Sequence, residues 1–143
     1  MKQGVGFSVT INIIAVFIVV TFAFLVASLN YYKAYKVNNA ITSSIEKFEG
    51  YNNLSKNEIA TKLTSLGYVS GGVKCKNVAN TVDENLNDTN LSYCIYKQQR
   101  NANTGKVKYK VVTFINFNIP IINQVLNLPV NSYTEPIYIF TEP

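Results

Sequence analysis

Between Lys2 and Lys33 the chain carries no charged residue. Within that run Val5 to Leu29, VGFSVTINIIAVFIVVTFAFLVASL, occupies 25 positions, roughly 37 Å as an α-helix. A bilayer's hydrocarbon core of about 30 Å needs only about 20 such residues. The segment is therefore long enough to span a membrane with some tilt. Its β-branched residues Ile13, Ile14, Val16, Ile18, Val19 and Val20 make a poor helix in water. In lipid every backbone group must be paired internally, and helix is the only solution for one segment. Val26-Ala27-Ser28 would suit a signal-peptidase site, but the apolar run exceeds the usual signal-peptide core and the basic start is minimal. A retained anchor is the expectation, dividing the chain into a cytoplasmic N-terminus (1–4), a transmembrane helix (5–30), a helical extension (31–50) and a small extracytoplasmic α+β domain (51–143).

The helix should continue past the membrane. Tyr31, Tyr32 and Tyr35 stand where interfacial aromatics are found, and no Gly or Pro interrupts Ala27 to Glu49. Val37, Ile41, Ile45 and Phe48 then recur on one helical face. This stripe packs either on the protein's own sheet or on a neighbouring helix, with Asn12 in the span a further candidate for helix–helix contact. Gly50 is placed to cap the helix. A second helix is expected from Ser55, with Ser55 and Glu58 as its capping box, Leu54 and Ile59 as staple, Leu63 and Leu66 on its buried face, and Gly67 as its stop.

Tyr68 to Asn90 reads as a long polar loop. Its Asp83, Glu84 and Asp88 lack the ligand order of a calcium loop. Beyond it, Tyr93–Lys97 reads as a strand, Asn101–Gly105 as a turn and Lys106–Asn118 as one long strand. Pro120 to Asn127 reads as a brief helix led by proline, and Tyr133–Thr141 as a last strand. The expected class is α+β: a long N-terminal helix, one short helix and a small antiparallel sheet of three or four strands.

Cys75 and Cys94 would close a loop of about 20 residues in an oxidising compartment, worth roughly 3 kcal/mol in the chain-entropy picture. That pairing puts the domain outside the cytoplasm. Lys2 with the α-amino group before the span and Lys33 with Lys36 after it leave charge nearly silent on orientation. The formal net charge is +5, but the basic residues are scattered, so nucleic acid is not an expected partner. Histidine is absent. No imidazole base, histidine triad or common zinc site is available, and no phosphate-binding glycine loop or nucleophile elbow occurs. Neither enzyme activity, nor a cofactor, nor a small-molecule substrate is expected.

Gly6-Phe7-Ser8-Val9-Thr10 ahead of the apolar helix resembles the start of type IV pilin-like subunits. Asn118–Val130 followed by Thr134–Tyr138 is similar to the end of TadE-like pseudopilins of tight-adherence pili. The resemblance implies cleavage by a prepilin peptidase between Gly6 and Phe7, assembly through the N-terminal helices, and partners among other pilin-like subunits or a pilus or secretion apparatus. Such subunits usually carry glutamate at the fifth mature position, where this chain has Ile11. The alternative is a membrane-anchored binding or sensor module that never polymerises.

Overall fold

The computed structural model describes residues 2–68, 75–76, 81–83, 92–119 and 124–138. Its elements in order are α1 (Lys2–Lys47), α2 (Asn53–Ser65), β1 (Thr81–Asp83), β2 (Tyr93–Gln98), β3 (Lys106–Val107), β4 (Tyr109–Ile119), β5 (Gln124–Tyr133) and β6 (Ile137–Tyr138). β1, β2, β4 and β5 form a four-stranded antiparallel sheet in that spatial order, and β3 pairs with β6. This is the α+β class expected from the sequence.

α1 is one helix of 46 residues, about 69 Å long. Its C-terminal third is not a spacer between membrane and domain. From Ala34 onward Val37, Asn38, Ile41, Thr42, Ser44 and Ile45 are buried. Val37, Ile41 and Ile45 form the centre of the core with Ile59 and Leu63 of α2 and Tyr93, Ile95, Val107, Tyr109, Val111 and Ile137 of the strands. The open choice for the stripe is thus resolved toward the protein's own sheet at these three positions. Phe48 differs: it lies just past the helix end, half-buried, with the Lys47 ammonium 5.0 Å from its ring centroid.

The cap expected at Gly67 holds, while the end of α1 shifts by one residue and the start of α2 by three. At the end of α1 the αL residue is Glu49 (φ 52), and Gly50 follows it at φ 151. The Gly50 N–H donates to Ile45 O at 2.9 Å and the Glu49 N–H to Glu46 O at 3.2 Å, the two bonds of a Schellman motif. α2 starts three residues early. Asn52 is its N-cap, and the Asn52 carboxamide and the Ser55 hydroxyl each accept the other residue's backbone N–H at 2.9 Å. Glu58 is unavailable for capping because Lys47 and Lys62 engage it, and Leu54 is exposed rather than stapled. Gly67 does end α2: at φ 60 it donates to Thr64 O while Tyr68 N–H reaches Leu63 O, a geometry that costs a residue with a Cβ about 1–2 kcal/mol.

Four strand assignments change. A three-residue strand, β1, lies within the stretch read as loop, pairing Val82 with Lys97. The long strand read from Lys106 breaks at Lys108 into β3 and β4, because Val107 pairs with Ile137 and β4 pairs elsewhere. Gln124 to Asn127, read as part of a helix, belongs to β5, with Asn127 opposite Asn116; residues 120–123 lie outside the described residues. Ladder pairing with β4 outweighs the proline signal, and Pro129 is accommodated because β5 is an edge strand. β6 covers Ile137–Tyr138 of the last predicted strand, whose Tyr133 instead ends β5.

The alternation in β4 holds where its side chains are described. Tyr109, Val111 and Thr113 face α1, and Val112 and Phe114 lie on the opposite side with Cys94, Tyr96 and Cys75. Cys75 and Cys94 are joined by a disulfide with Cα atoms 5.7 Å apart. The bridge holds the chain at Cys75 over the sheet face opposite α1.

Candidate functional surface: the projecting helix and its seam

The N-terminal part of α1 stands clear of the domain. Every residue from Gly6 to Val26 is exposed, with Phe7 at 70%, Phe17 at 71% and Phe24 at 71%. An apolar surface of this extent is far larger than soluble monomers tolerate. Three of its hydroxyls are satisfied within the helix: Thr10, Thr21 and Ser28 donate to the carbonyls of Gly6, Phe17 and Phe24 at 2.8, 2.8 and 2.9 Å. Back-bonding to the preceding turn satisfies these groups inside the helix, as hydrocarbon surroundings require. The helix is long and apolar enough to cross a membrane. Gly6 and Phe7 lie in its second turn, where a Cβ on Gly6 would meet nothing within 4 Å. Asn12 is exposed on the projecting part.

The projecting helix is held to the domain by a polar seam. Asn38 is 1% exposed. Its Nδ2 donates to Val130 O at 2.9 Å and to Thr113 Oγ1 at 3.2 Å, and lies 3.4 Å from Val111 O. The Asn38 Oδ1 accepts from the Ser132 hydroxyl, which also meets Thr42 Oγ1 at 2.8 Å. Thr113 Oγ1 in turn donates to Ala34 O at 3.3 Å. One carboxamide therefore reads both β4 and β5, which sets the height of the helix on the sheet. Replacing Asn38 with Ala leaves the Val130 carbonyl and two hydroxyls short of partners, and about 2 kcal/mol of domain stability should be lost. Denaturant unfolding of the full chain in detergent measures this; a loss below about 0.5 kcal/mol would remove the seam's structural importance.

Comparison with known protein families, curated proteins and solved structures finds no match to this chain. Function has to be argued from the geometry alone.

At the base of the projecting helix, the Lys33 ammonium donates to Gly67 O at 2.9 Å, tying that helix to the C-terminus of α2 and complementing its dipole. Further along, Glu58 lies 2.7 Å from Lys47 Nζ and 2.6 Å from Lys62 Nζ. Hydrogen bonds from Lys47 first and Lys62 second hold its carboxyl down to about 2. Because the folded value lies below the unfolded one, this contribution is present above about pH 4.5 and is lost as pH falls towards 2. Unfolding midpoints across that window should fall more steeply for the native chain than for Glu58→Gln; superimposable acid profiles would contradict it.

Among the described residues, no group of three or more metal-ligating side chains is gathered. Asp83 lies in β1, while Glu84 and Asp88 fall outside the described residues. Two features of the site were missed by sequence reasoning. Asn38 sits inside the three–four spacing Ala34, Val37, Asn38, Ile41, and a polar residue within an apolar stripe is a usable signal of a buried bond. Tyr68 has no such signal. Its hydroxyl takes up the Phe114 N–H at 3.3 Å and lies 3.0 Å from Phe114 O and 3.1 Å from Ser92 O, closing the edge of β4 where β2 ends. Burial pushes this phenol up, against the opposing effect of its bond to Phe114.

Proposed function

We propose that this chain is a non-enzymatic, single-pass membrane protein, N-terminus in and domain out, that serves as a pilin-like minor subunit of a cell-surface pilus or secretion assembly. One observation carries the reading. A single helix carries both the long apolar segment and the central core stripe of the domain, so the domain cannot move without moving that segment. A subunit whose span is stored in the bilayer and then withdrawn into a filament needs such rigid continuity. A flexibly tethered sensor does not. The Gly6–Phe7 start and the exposed apolar face from Phe7 to Val26 support the same reading, since Val37, Ile41 and Ile45 are internal and neighbours must be met through the span.

Ile11 favours the second reading, a static anchored binding or sensor module, because the glutamate that usually registers one pilin helix on the next is not there. The two readings part at the N-terminus. The intact mass of the chain taken from its native cell surface should lack residues 1–6 if it is a processed subunit, and Gly6→Val should block that maturation. A full-length mass, unchanged by Gly6→Val, would leave the static module as the account.

A further inference from the structure

The chain has two long uncharged stretches: Gln3–Tyr32 in the helix and Val111–Thr134, bounded by Lys110 and Glu135. The second contains most of β4 and all of β5, which pair antiparallel. β2 stops pairing with β4 at Thr113, but β4 and β5 stay paired for six further rungs, from Phe114 opposite Pro129 to Ile119 opposite Gln124. These rungs form a two-stranded arm about 17 Å long.

Its direction follows from the seam. Tyr109 lies with the distal core, Val111 and Thr113 meet Asn38, and Thr113 meets Ala34. As β4 advances, its partners on α1 move towards the N-terminus, so the arm leaves the domain on the side of the span. It starts level with Ala34, beside exposed Tyr31, Tyr32 and Tyr35. Leu128 and Pro129 at its base are exposed as well.

We infer that this arm is a second membrane contact, lying in the headgroup layer beside the anchor; the inference rests on the anchor reading above. The dimensions fit. Val5–Leu29 exceeds the hydrocarbon core by about 7 Å, or about five residues, so if the span starts at Val5 the core ends near Phe24. The helix between there and Lys33 crosses the interfacial zone, and the arm runs alongside it. The chemistry fits too. Ile115, Phe117, Ile119, Val125, Leu126 and Leu128 are interspersed with uncharged Asn116, Asn118 and Asn127, a composition that gains from the acyl boundary while keeping hydrogen-bonding groups among headgroups. Open strand edges bar the arm from the hydrocarbon itself. In water the same uncharged edge strands would be an aggregation site. Among the described residues, the charges of the strand region, Asp83, Lys97, Arg100, Lys106, Lys108, Lys110 and Glu135, all belong to the opposite end of the sheet.

The chain has no tryptophan, so single substitutions report depth directly. Full-length Phe117→Trp and its cross-strand partner Leu126→Trp are reconstituted in phosphatidylcholine vesicles with bromine placed near the top of the acyl chains or deep within them. Phe17→Trp reports the span and Tyr138→Trp the distal end. Both arm probes should lose at least about half their fluorescence to shallow bromine and much less to deep bromine. Phe17→Trp should be quenched by deep bromine and Tyr138→Trp by neither. Quenching of Phe17→Trp with both arm probes untouched would overturn the inference and leave the anchor standing. Arm probes untouched by lipid but altered on raising the protein-to-lipid ratio would overturn it in favour of contact between copies. A Phe17→Trp signal insensitive to any bromine would remove the anchor and the inference together.

Discussion

Truncating Ile41 to Ala is expected to lower the unfolding free energy of the domain by about 4 kcal/mol. Ile41 is 0% exposed and lies at the junction of α1, α2 and the sheet. Its loss removes the transfer energy of three carbons and leaves a cavity in a core where Val37, Ile45 and Ile59 are already close-packed. Ile14→Ala, on the projecting helix, removes the same atoms from a side chain 53% exposed and should leave domain unfolding within about 0.5 kcal/mol of the native chain. Tyrosine near-UV dichroism of the full-length protein in detergent follows both. A shift below about 1 kcal/mol for Ile41→Ala, with impaired self-association instead, would return this stripe to a surface role and contradict the packing described above.

The second large effect belongs to the disulfide. Replacing Cys75 and Cys94 together with Ala should cost about 3 kcal/mol, the chain entropy restored to an unfolded loop of about 20 residues. The double variant is the clean comparison, since either single change leaves a thiol behind. The bridge also holds the Cys75 segment over Val112, Tyr96 and Phe114, so its removal should expose that face to apolar dyes before the helix-side core melts. Equal midpoints for the native chain and the double variant, or simultaneous exposure of both faces, would contradict this division. Reduction of the native chain should reproduce the double variant.

Much of this protein could be read locally. The long apolar helix, the stripe of Val37, Ile41 and Ile45, the stop at Gly67 and the alternation of Tyr109, Val111 and Thr113 each follow from spacing and residue type within a single element. Such signals survive folding because the element itself enforces them. The readings that failed were those in which two local rules competed. Ser55 and Glu58 made a sound capping box, but Lys47, on another helix, holds Glu58 together with Lys62 and the start moved to Asn52. Pro120 with its neighbours made a sound helix start, but the preceding strand, β4, was close enough to pair, and Gln124–Asn127 joined its ladder.

Sequence by itself determined the long apolar helix, the α+β class and the elements whose apolar period is unambiguous, since a charge-free run of 30 residues and a regular stripe constrain the chain before any contact forms. Only the tertiary structure decided what covers the stripe, how Asn38 binds the helix to two strands, and which way the β4–β5 arm points. Those depend on partners up to 94 residues away in the chain, as between Ser132 and Asn38. No local pattern encodes the position of an acceptor that folding alone brings within hydrogen-bonding distance.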